Sequence, residues 1–261
     1  MGELFWLLIV YSIVSFVLNK MATMQPEEFM TLMNDVLYDA NAAISKIKNM
    51  IEVLENEIDE FENQNNLYTV LVKGLHCGQQ VNKQKIISCI SRVVSAVNNW
   101  RQVLAFAENP SIDILISNST EAGLVYKAEI FSETDTPSTF PAKLTRYLYE
   151  RYTRLGSFDA PGMVILPTEL ISDNGKVLLS YVERHAVNNN LPDQFIEWLR
   201  SKNHFCNTLV DRIVPGKSES QDLININGIS YTDHLHTAAE PYALWAIEGN
   251  EVVKQKLNFC L

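Results

Sequence analysis

Hydrophobic residues recur at steps of three and four between Pro26 and Asn63, which is the period of an amphipathic helix. Glu27 and Glu28 follow Pro26, and carboxylates in a first helical turn interact favourably with the positive end of the helix dipole. The pattern therefore predicts one long helix or a pair of helices in this segment.

A nearly continuous apolar run, Leu4–Leu18, precedes the predicted helix. Its 15 residues fall short of the roughly 20 that a helix needs to cross a bilayer. Glu3 stands where a secretory signal would carry basic residues, and no typical cleavage site follows. Three interpretations stay open: a buried helix, a short membrane anchor, or a start that differs from the native one.

From Asn65 onwards, short apolar runs alternate with amphipathic helical segments. This alternation is typical of an α/β domain with a largely parallel sheet. Segment 81–97 mixes β-branched and polar residues and is ambiguous. The segments predicted as strands are 67–72, 112–117, 162–167 and 242–248, and those predicted as helices are 100–108, 142–154, 176–185 and 192–202.

Polar residues cluster where the predicted strands end. Residues 118–121 follow one buried run, residues 168–174 follow the next, and residues 207–212 form a third cluster. Open α/β sheets bind their ligands at the carboxyl ends of the strands, so the three clusters could meet in one cleft. The alternative, that these residues only cap helices and order loops, stays open on this evidence.

Charge and cysteine content narrow the function further. The net charge is −10 and the pI is about 5.0, which argues against nucleic-acid binding and fits a soluble cytoplasmic protein. The cysteines have no C-x-x-C or zinc-ligand spacing, so we expect reduced, mostly buried thiols and no metal site. They are Cys77, Cys89, Cys206 and Cys260.

Glycine is absent between Gly2 and Gly74. A dinucleotide-binding fold opens with a glycine-rich turn that lets backbone amides approach the pyrophosphate. Residues 3–73 cannot make that turn, so residue patterns by themselves predict an α/β domain with a polar cleft and no more.

Whole phrases add a resemblance to a known family. They occur in the order found in the mannitol dehydrogenase family (the polyol-specific long-chain dehydrogenases), and are most similar to its branch that reduces tagaturonate. The phrases are NNLYT at 65–69 with Lys73-Gly74, SNSTEAG at 117–123, FPAKLT at 140–145, ILPTELI at 165–171 with Asn174-Gly175, FCNTLVDRIV at 205–214, and AEPY at 239–242.

The resemblance implies an α/β, Rossmann-like nucleotide-binding domain and reversible NAD-linked reduction of tagaturonate, a small sugar acid, to altronate. In this family a lysine serves as acid and base, and no metal is needed. By resemblance Asn118, Thr120 and Glu121 would lie near the nicotinamide half of the cofactor. On the same ground, Glu169, Asn174 and Asp211 would lie on the substrate side.

Two family motifs have no counterpart in the sequence. These are the phosphate turn G-x-G-x-F-x-R and the catalytic K-x4-N-x2-H, so we expect a truncated form with little activity by itself. We expect an incomplete Rossmann-like domain over 65–261, preceded by a helical segment, 1–64, outside the family. The alternative is a non-catalytic interaction protein, or a membrane-anchored one, that carries a relic dehydrogenase domain. The sequence leaves the oligomeric state and the choice among tagaturonate, fructuronate and mannitol open.

Overall fold

The computed structural model describes residues 58–119, 123–132, 135–215, 223–226 and 229–257. The apolar run Leu4–Leu18 and most of the predicted amphipathic helix lie outside the described residues, although residues 58–63 are helical. The chain divides into two compact units, Met1–Glu60 and Phe61–Leu261, and nearly all described residues belong to the second.

Strands and helices alternate in the middle of this second unit, whereas short strands follow one another in its C-terminal part before a last helix. The helices are α1 Trp100–Ala107, α2 Phe140–Arg154, α3 Asn174–Asn188, α4 Asp193–Lys202 and α5 Glu251–Lys256, with a 3-10 turn at Ser157–Asp159. The strands are β1 Tyr68–His76, β2 Gln79–Ile87, β3 Ile114–Ser117, β4 Val164–Pro167, β5 His204–Phe205, β6 Thr208–Asp211, β7 Leu223–Ile226, β8 Ile229–Thr232, β9 Thr237–Ala239 and β10 Leu244–Ile247.

The centre of the unit is a three-stranded parallel sheet in the order β3-β4-β5. Helix α2 connects β3 to β4, and helices α3 and α4 connect β4 to β5, which is the β-α-β arrangement of a doubly wound sheet. All four residues of β4 are buried, as expected for a parallel strand covered on both faces. The predicted α/β, Rossmann-like fold is confirmed.

Aromatic side chains of α2 and α4 pack against each other in the core. The rings of Tyr152, Phe195 and Trp198 lie 5.4 to 5.9 Å apart, and all three side chains are buried. The indole nitrogen of Trp198 donates a 2.8 Å hydrogen bond to the carbonyl of Ala160, so its one polar atom is satisfied. Full burial of such a side chain contributes about 1.5–3 kcal/mol.

The remaining strands pair mostly in antiparallel orientation. The prediction of a largely parallel sheet therefore holds only for the central strands β3, β4 and β5. Strands β1 and β2 form a hairpin in which Cys77 and Gly78 both have positive φ, as a two-residue type I′ turn requires. Strand β9 adds to β1 in parallel, whereas β6 pairs with β10 and β7 with β8 as antiparallel ribbons. The ambiguous segment 81–97 thus begins within a strand.

Three further observations bear on the sequence predictions. Of the three cysteines described, Cys77 and Cys89 are exposed and Cys206 is buried. The prediction that the thiols are mostly buried was therefore wrong for these three. Cys260 lies outside the described residues. Among the residues described, no helix is both long enough and apolar enough to cross a membrane.

Candidate functional site

Two hydrogen bonds from Thr168 to Ser117 join the carboxyl ends of β3 and β4. The backbone amide of Thr168 donates to the carbonyl of Ser117 at 2.9 Å, and the Thr168 hydroxyl donates to the same carbonyl at 2.7 Å. This fixes where the chain leaves both strands, at the edge of the sheet where such folds bind ligands.

Glu169 is a buried carboxylate at this edge, with only 3 % of its surface exposed. One oxygen accepts a hydrogen bond from the Ser117 hydroxyl at 3.0 Å. The other accepts from the backbone amide and the hydroxyl of Ser119, at 2.9 and 2.8 Å. Three donors offset the desolvation of the carboxylate, and the contact holds the start of the loop that follows β3.

Asn174 connects the same edge to β6 and to the start of α3. Its amide nitrogen lies within hydrogen-bond distance of the carbonyls of Pro167, Glu169 and Thr208, at 3.0, 3.0 and 2.9 Å. Its amide oxygen accepts from the backbone amides of Gly175 and Thr208, both at 2.9 Å. Because the side chain is buried and all its polar atoms have partners, it fixes three segments relative to one another.

Gly175 allows helix α3 to approach the segment after β5. A Cβ atom at this position would lie 2.5 Å from the carbonyl of Cys206, which no side chain tolerates. The side-chain oxygen of Asn207 then accepts from the amides of Gly175 and Lys176, at 3.1 and 3.2 Å, and so caps the start of the helix.

An exposed polar group surrounds this helix start. The Asn207 amide nitrogen donates to Glu248 at 2.7 Å and to Asp173 at 3.3 Å, while Lys176 forms a 2.7 Å ion pair with Asp173. Hydrogen bonding and attraction to Asp173 raise the pKa of Lys176. Sequence reasoning placed Asn207 in a cluster without singling it out, and it did not find Glu248, which lies after β10.

The structure brings two of the predicted site residues together and separates others. Glu169 and Asn174 belong to one hydrogen-bonded junction, and Asn118 is exposed beside it at the end of β3. Asp211 is exposed on β6, three residues beyond Thr208, or about 10 Å along an extended strand. Thr120 and Glu121 lie outside the described residues.

A cavity of about 310 Å³ opens beside the junction, lined in part by Cys206, Glu248 and Asn250. Burial, with a smaller contribution from Glu248, raises the pKa of the Cys206 thiol to about 11. The thiol is therefore protonated at neutral pH, which makes it a poor nucleophile. Within the described ranges no group of three or more His, Cys, Asp and Glu side chains is arranged to hold a metal ion.

Comparison with known proteins shows which family this domain belongs to. The model of the mannitol dehydrogenase Rossmann domain matches residues 36–260, which is most of the chain. The chain belongs to the mannitol dehydrogenase family. The match begins within the segment 1–64, for which the residue pattern predicted helices.

Curated relatives in this family include several altronate oxidoreductases. The chain is 43 % identical over 203 residues to the altronate oxidoreductase of Halalkalibacterium halodurans, covering 77 % of this chain and 40 % of that protein. It is 37 % identical over 204 residues to the Bacillus subtilis enzyme, covering 78 % and 42 %. The chain thus spans about two fifths of the length of these relatives.

Solved structures with the mannitol dehydrogenase fold are also similar. The ternary complex of Pseudomonas fluorescens mannitol 2-dehydrogenase with NAD and D-mannitol matches with a TM-score of 0.60 and 20 % identity. This match covers 75 % of the present chain and 41 % of the mannitol 2-dehydrogenase chain. D-sorbitol dehydrogenase in substrate-free form matches with a TM-score of 0.59, 19 % identity and the same coverage. At this identity the likeness concerns the fold.

Proposed function

We propose that this chain is part of an NAD-dependent oxidoreductase that interconverts tagaturonate and altronate. The observation that carries the proposal is the junction of Glu169, Asn174 and Asn207 at the carboxyl ends of parallel strands, within a domain of the mannitol dehydrogenase family. The identity of 43 % to an altronate oxidoreductase supports the sugar-acid substrate. Since the chain spans about two fifths of such relatives, the activity of the whole protein is part of the proposal.

The residues at the strand ends fit one half of a dinucleotide. Asn118 offers an exposed amide at the end of β3, and the loop that follows it is held in place by Glu169. Amide side chains of this kind hydrogen-bond ribose hydroxyls or a carboxamide. We propose that Asn118, Thr120 and Glu121 bind the nicotinamide half, whereas no glycine turn for the pyrophosphate occurs before Gly74.

When bound, NAD would supply the hydride acceptor for oxidation of the sugar-acid alcohol. The chain's own contribution would be positional. Glu169 and Asn174 use their hydrogen bonds within the protein, so we propose that they shape the substrate side of the cleft by fixing its loops. Asp211, exposed on β6, remains available to accept a hydrogen bond from a sugar hydroxyl.

The direct test is a turnover assay on the full chain. NADH formation would be followed with altronate, with mannonate (the alcohol that corresponds to fructuronate) and with mannitol as alternative substrates. NADH binding would be measured by fluorescence titration. We expect altronate to be the preferred substrate, with low activity and NADH binding weaker than micromolar, because residues 3–73 contain no glycine from which a phosphate turn could be formed.

Variants then assign the sites. Asn118→Ala should weaken NADH binding, and Asp211→Asn should raise the altronate KM. Arg154→Gln, a change on the exposed face of α2, should alter neither value. Faster turnover with mannitol, or tighter binding of NADPH than of NADH, would contradict the assignment.

We also propose a cytoplasmic location. The three described cysteines are free thiols, two of them exposed, which suits a reducing compartment. Thiol labelling of the chain in intact cells and in cell lysate, under non-reducing conditions, would test this. Recovery of Cys77 or Cys89 in a disulfide would contradict it.

A further inference from the structure

One groove of the domain lies away from the strand ends. Its volume is about 540 Å³, and it is formed by α3, α4 and the segment 123–132 that runs from the β3 loop across α3. The residues that line it include Tyr126, Glu183, Arg184, Val187, Ile196 and Arg200. Nothing in the proposed oxidoreductase reaction uses this surface.

The two arginines of the groove differ in how they are paired. Arg200 donates two hydrogen bonds to the carboxylate of Glu183, at 2.6 and 3.1 Å. Arg184 instead lies over the ring of Tyr126, with its guanidinium carbon 3.7 Å from the ring centroid. No carboxylate of the described residues lies within ion-pair distance of Arg184, and its side chain is exposed.

Arg184 is held in this position before any ligand arrives. The Tyr126 ring beneath it packs against His185, with centroids 4.7 Å apart, and His185 is fully buried. The segment carrying Tyr126 is tied to α3 because the amides of Asn188 and Asn189 donate to the carbonyl of Glu129, at 3.0 and 3.1 Å. A guanidinium fixed by stacking loses less conformational freedom when it binds an anion.

The charges of the groove indicate the charge of its ligand. Two guanidinium groups and one carboxylate leave one net positive charge among the lining residues, which matches a monoanion better than a phosphate dianion. The flat fork of Arg184 fits a carboxylate. The apolar side chains of Val187, 64 % exposed, and Ile196 offer contact to a hydrophobic body beside that carboxylate.

We propose that this groove is a binding site for a small organic monocarboxylate, with Arg184 as its carboxylate-binding residue. The inference does not rest on the proposed oxidoreductase activity, because it uses none of the residues at the strand ends. Binding would connect α3 and α4 with the segment 123–132, and should therefore raise the thermal stability of the domain.

The test uses the full chain and benzoate, with benzamide as the neutral molecule of matched shape. Isothermal titration should detect benzoate binding at least about tenfold tighter than benzamide, and tighter than inorganic phosphate. Arg184→Gln should weaken benzoate binding by about tenfold or more, and Arg184→Lys by less. Arg154→Gln, which removes an exposed arginine paired with Glu150 on α2, serves as the control and should bind normally.

Several results would overturn the proposal. They are equal affinity of wild-type chain and Arg184→Gln for benzoate, equal affinity for benzoate and benzamide, and tighter binding of phosphate. A short peptide ending in a phenylalanine carboxylate that binds more tightly than benzoate would overturn the small-molecule assignment. Thermal melting of each variant shows whether it is folded, so a loss of binding can be assigned to the missing guanidinium.

Discussion

Glu169 accepts two hydrogen bonds from Ser119, one from its backbone amide at 2.9 Å and one from its hydroxyl at 2.8 Å. Because the carboxylate is buried, its removal would take an acceptor away from the buried Ser117 hydroxyl, which donates to it at 3.0 Å, as well as from Ser119. We therefore expect Glu169→Ala to lower the free energy of unfolding by about 1–3 kcal/mol. Glu169→Gln keeps one acceptor oxygen and should cost less.

Urea denaturation monitored by tryptophan fluorescence measures both changes. Glu183→Ala removes a carboxylate that pairs with Arg200 at the protein surface, and it serves as a control with little expected effect. Equal midpoints for Glu169→Ala and Glu183→Ala would contradict the structural importance of the buried carboxylate.

Asn174 provides a second test, because its amide nitrogen faces three carbonyl oxygens. Asn174→Asp keeps the shape of the side chain but replaces the donor with a negatively charged oxygen that these carbonyls repel. We expect the free energy of unfolding to fall by about 3 kcal/mol or more. The matched change Asn118→Asp, on an exposed asparagine at the same sheet edge, should stay within about 0.5 kcal/mol. Similar losses for the two variants would refute the difference in burial.

Sequence reasoning succeeded where local pattern and burial agree. The β4 run is apolar throughout because both faces of the strand are covered, and α2 has both an amphipathic period and a Thr139–Pro141 start. Strands β7 and β8, by contrast, were not predicted. In the described part of the chain they form a two-stranded ribbon with each other, separate from the two three-stranded sheets, so a single strand pair defines both elements.

The sequence predicts where the site residues lie relative to the strands, but not which residues they form hydrogen bonds with. Residues 168–174 follow a buried strand, which is enough to place Glu169 and Asn174 at a sheet edge. Their partners are distant in sequence: Ser119 lies 50 residues before Glu169, and Thr208 lies 34 residues after Asn174. The residues next to each position give no information about partners so distant in sequence. Glu248 was not found for the same reason, because its partner Asn207 lies 41 residues earlier.

Arg151 gives a prediction about the core and helix α1. Its guanidinium is fully buried and donates to the carbonyl of Pro161 at 2.8 Å, and to those of Ala107 and Asn109 at the end of α1. Burial lowers the pKa of Arg151, while Tyr147 and Asp113 oppose that shift. The side chain thus satisfies carbonyls that the end of a helix leaves without partners.

We expect Arg151→Met to lower the free energy of unfolding by roughly 3–4 kcal/mol, because several buried carbonyls lose their donor at once. The free energy of unfolding of Arg151→Lys should lie between those of Arg151→Met and the wild type, since an ammonium group cannot reach all of these oxygens. Arg154→Met on the exposed side of the same helix is the control, and urea titration should show little change. Loss of helix α1 could be followed by hydrogen exchange of residues 100–107.

His185 makes the stability of the domain depend on pH. The ring is fully buried against Tyr126 and Phe131, and among the described residues neither nitrogen has a hydrogen-bond partner. Burial lowers its pKa; Glu129 opposes this shift and Arg184 adds to it. The folded protein therefore holds the neutral ring, while the unfolded chain takes up a proton once the pH falls below about 6.5.

Because the unfolded state binds more protons, the free energy of unfolding should decrease as the pH falls from about 6.5 towards the lowered pKa, and should not depend on His185 above that range. His185→Phe and His185→Gln cannot take up this proton, so both should lose the His185 part of the slope between pH 7 and about 5. His185→Phe should also be at least as stable as the wild type at pH 7.5, since it removes unpartnered buried nitrogens. Urea titrations at half-unit pH steps measure the slopes, and an unchanged slope in both variants would show that His185 is not responsible.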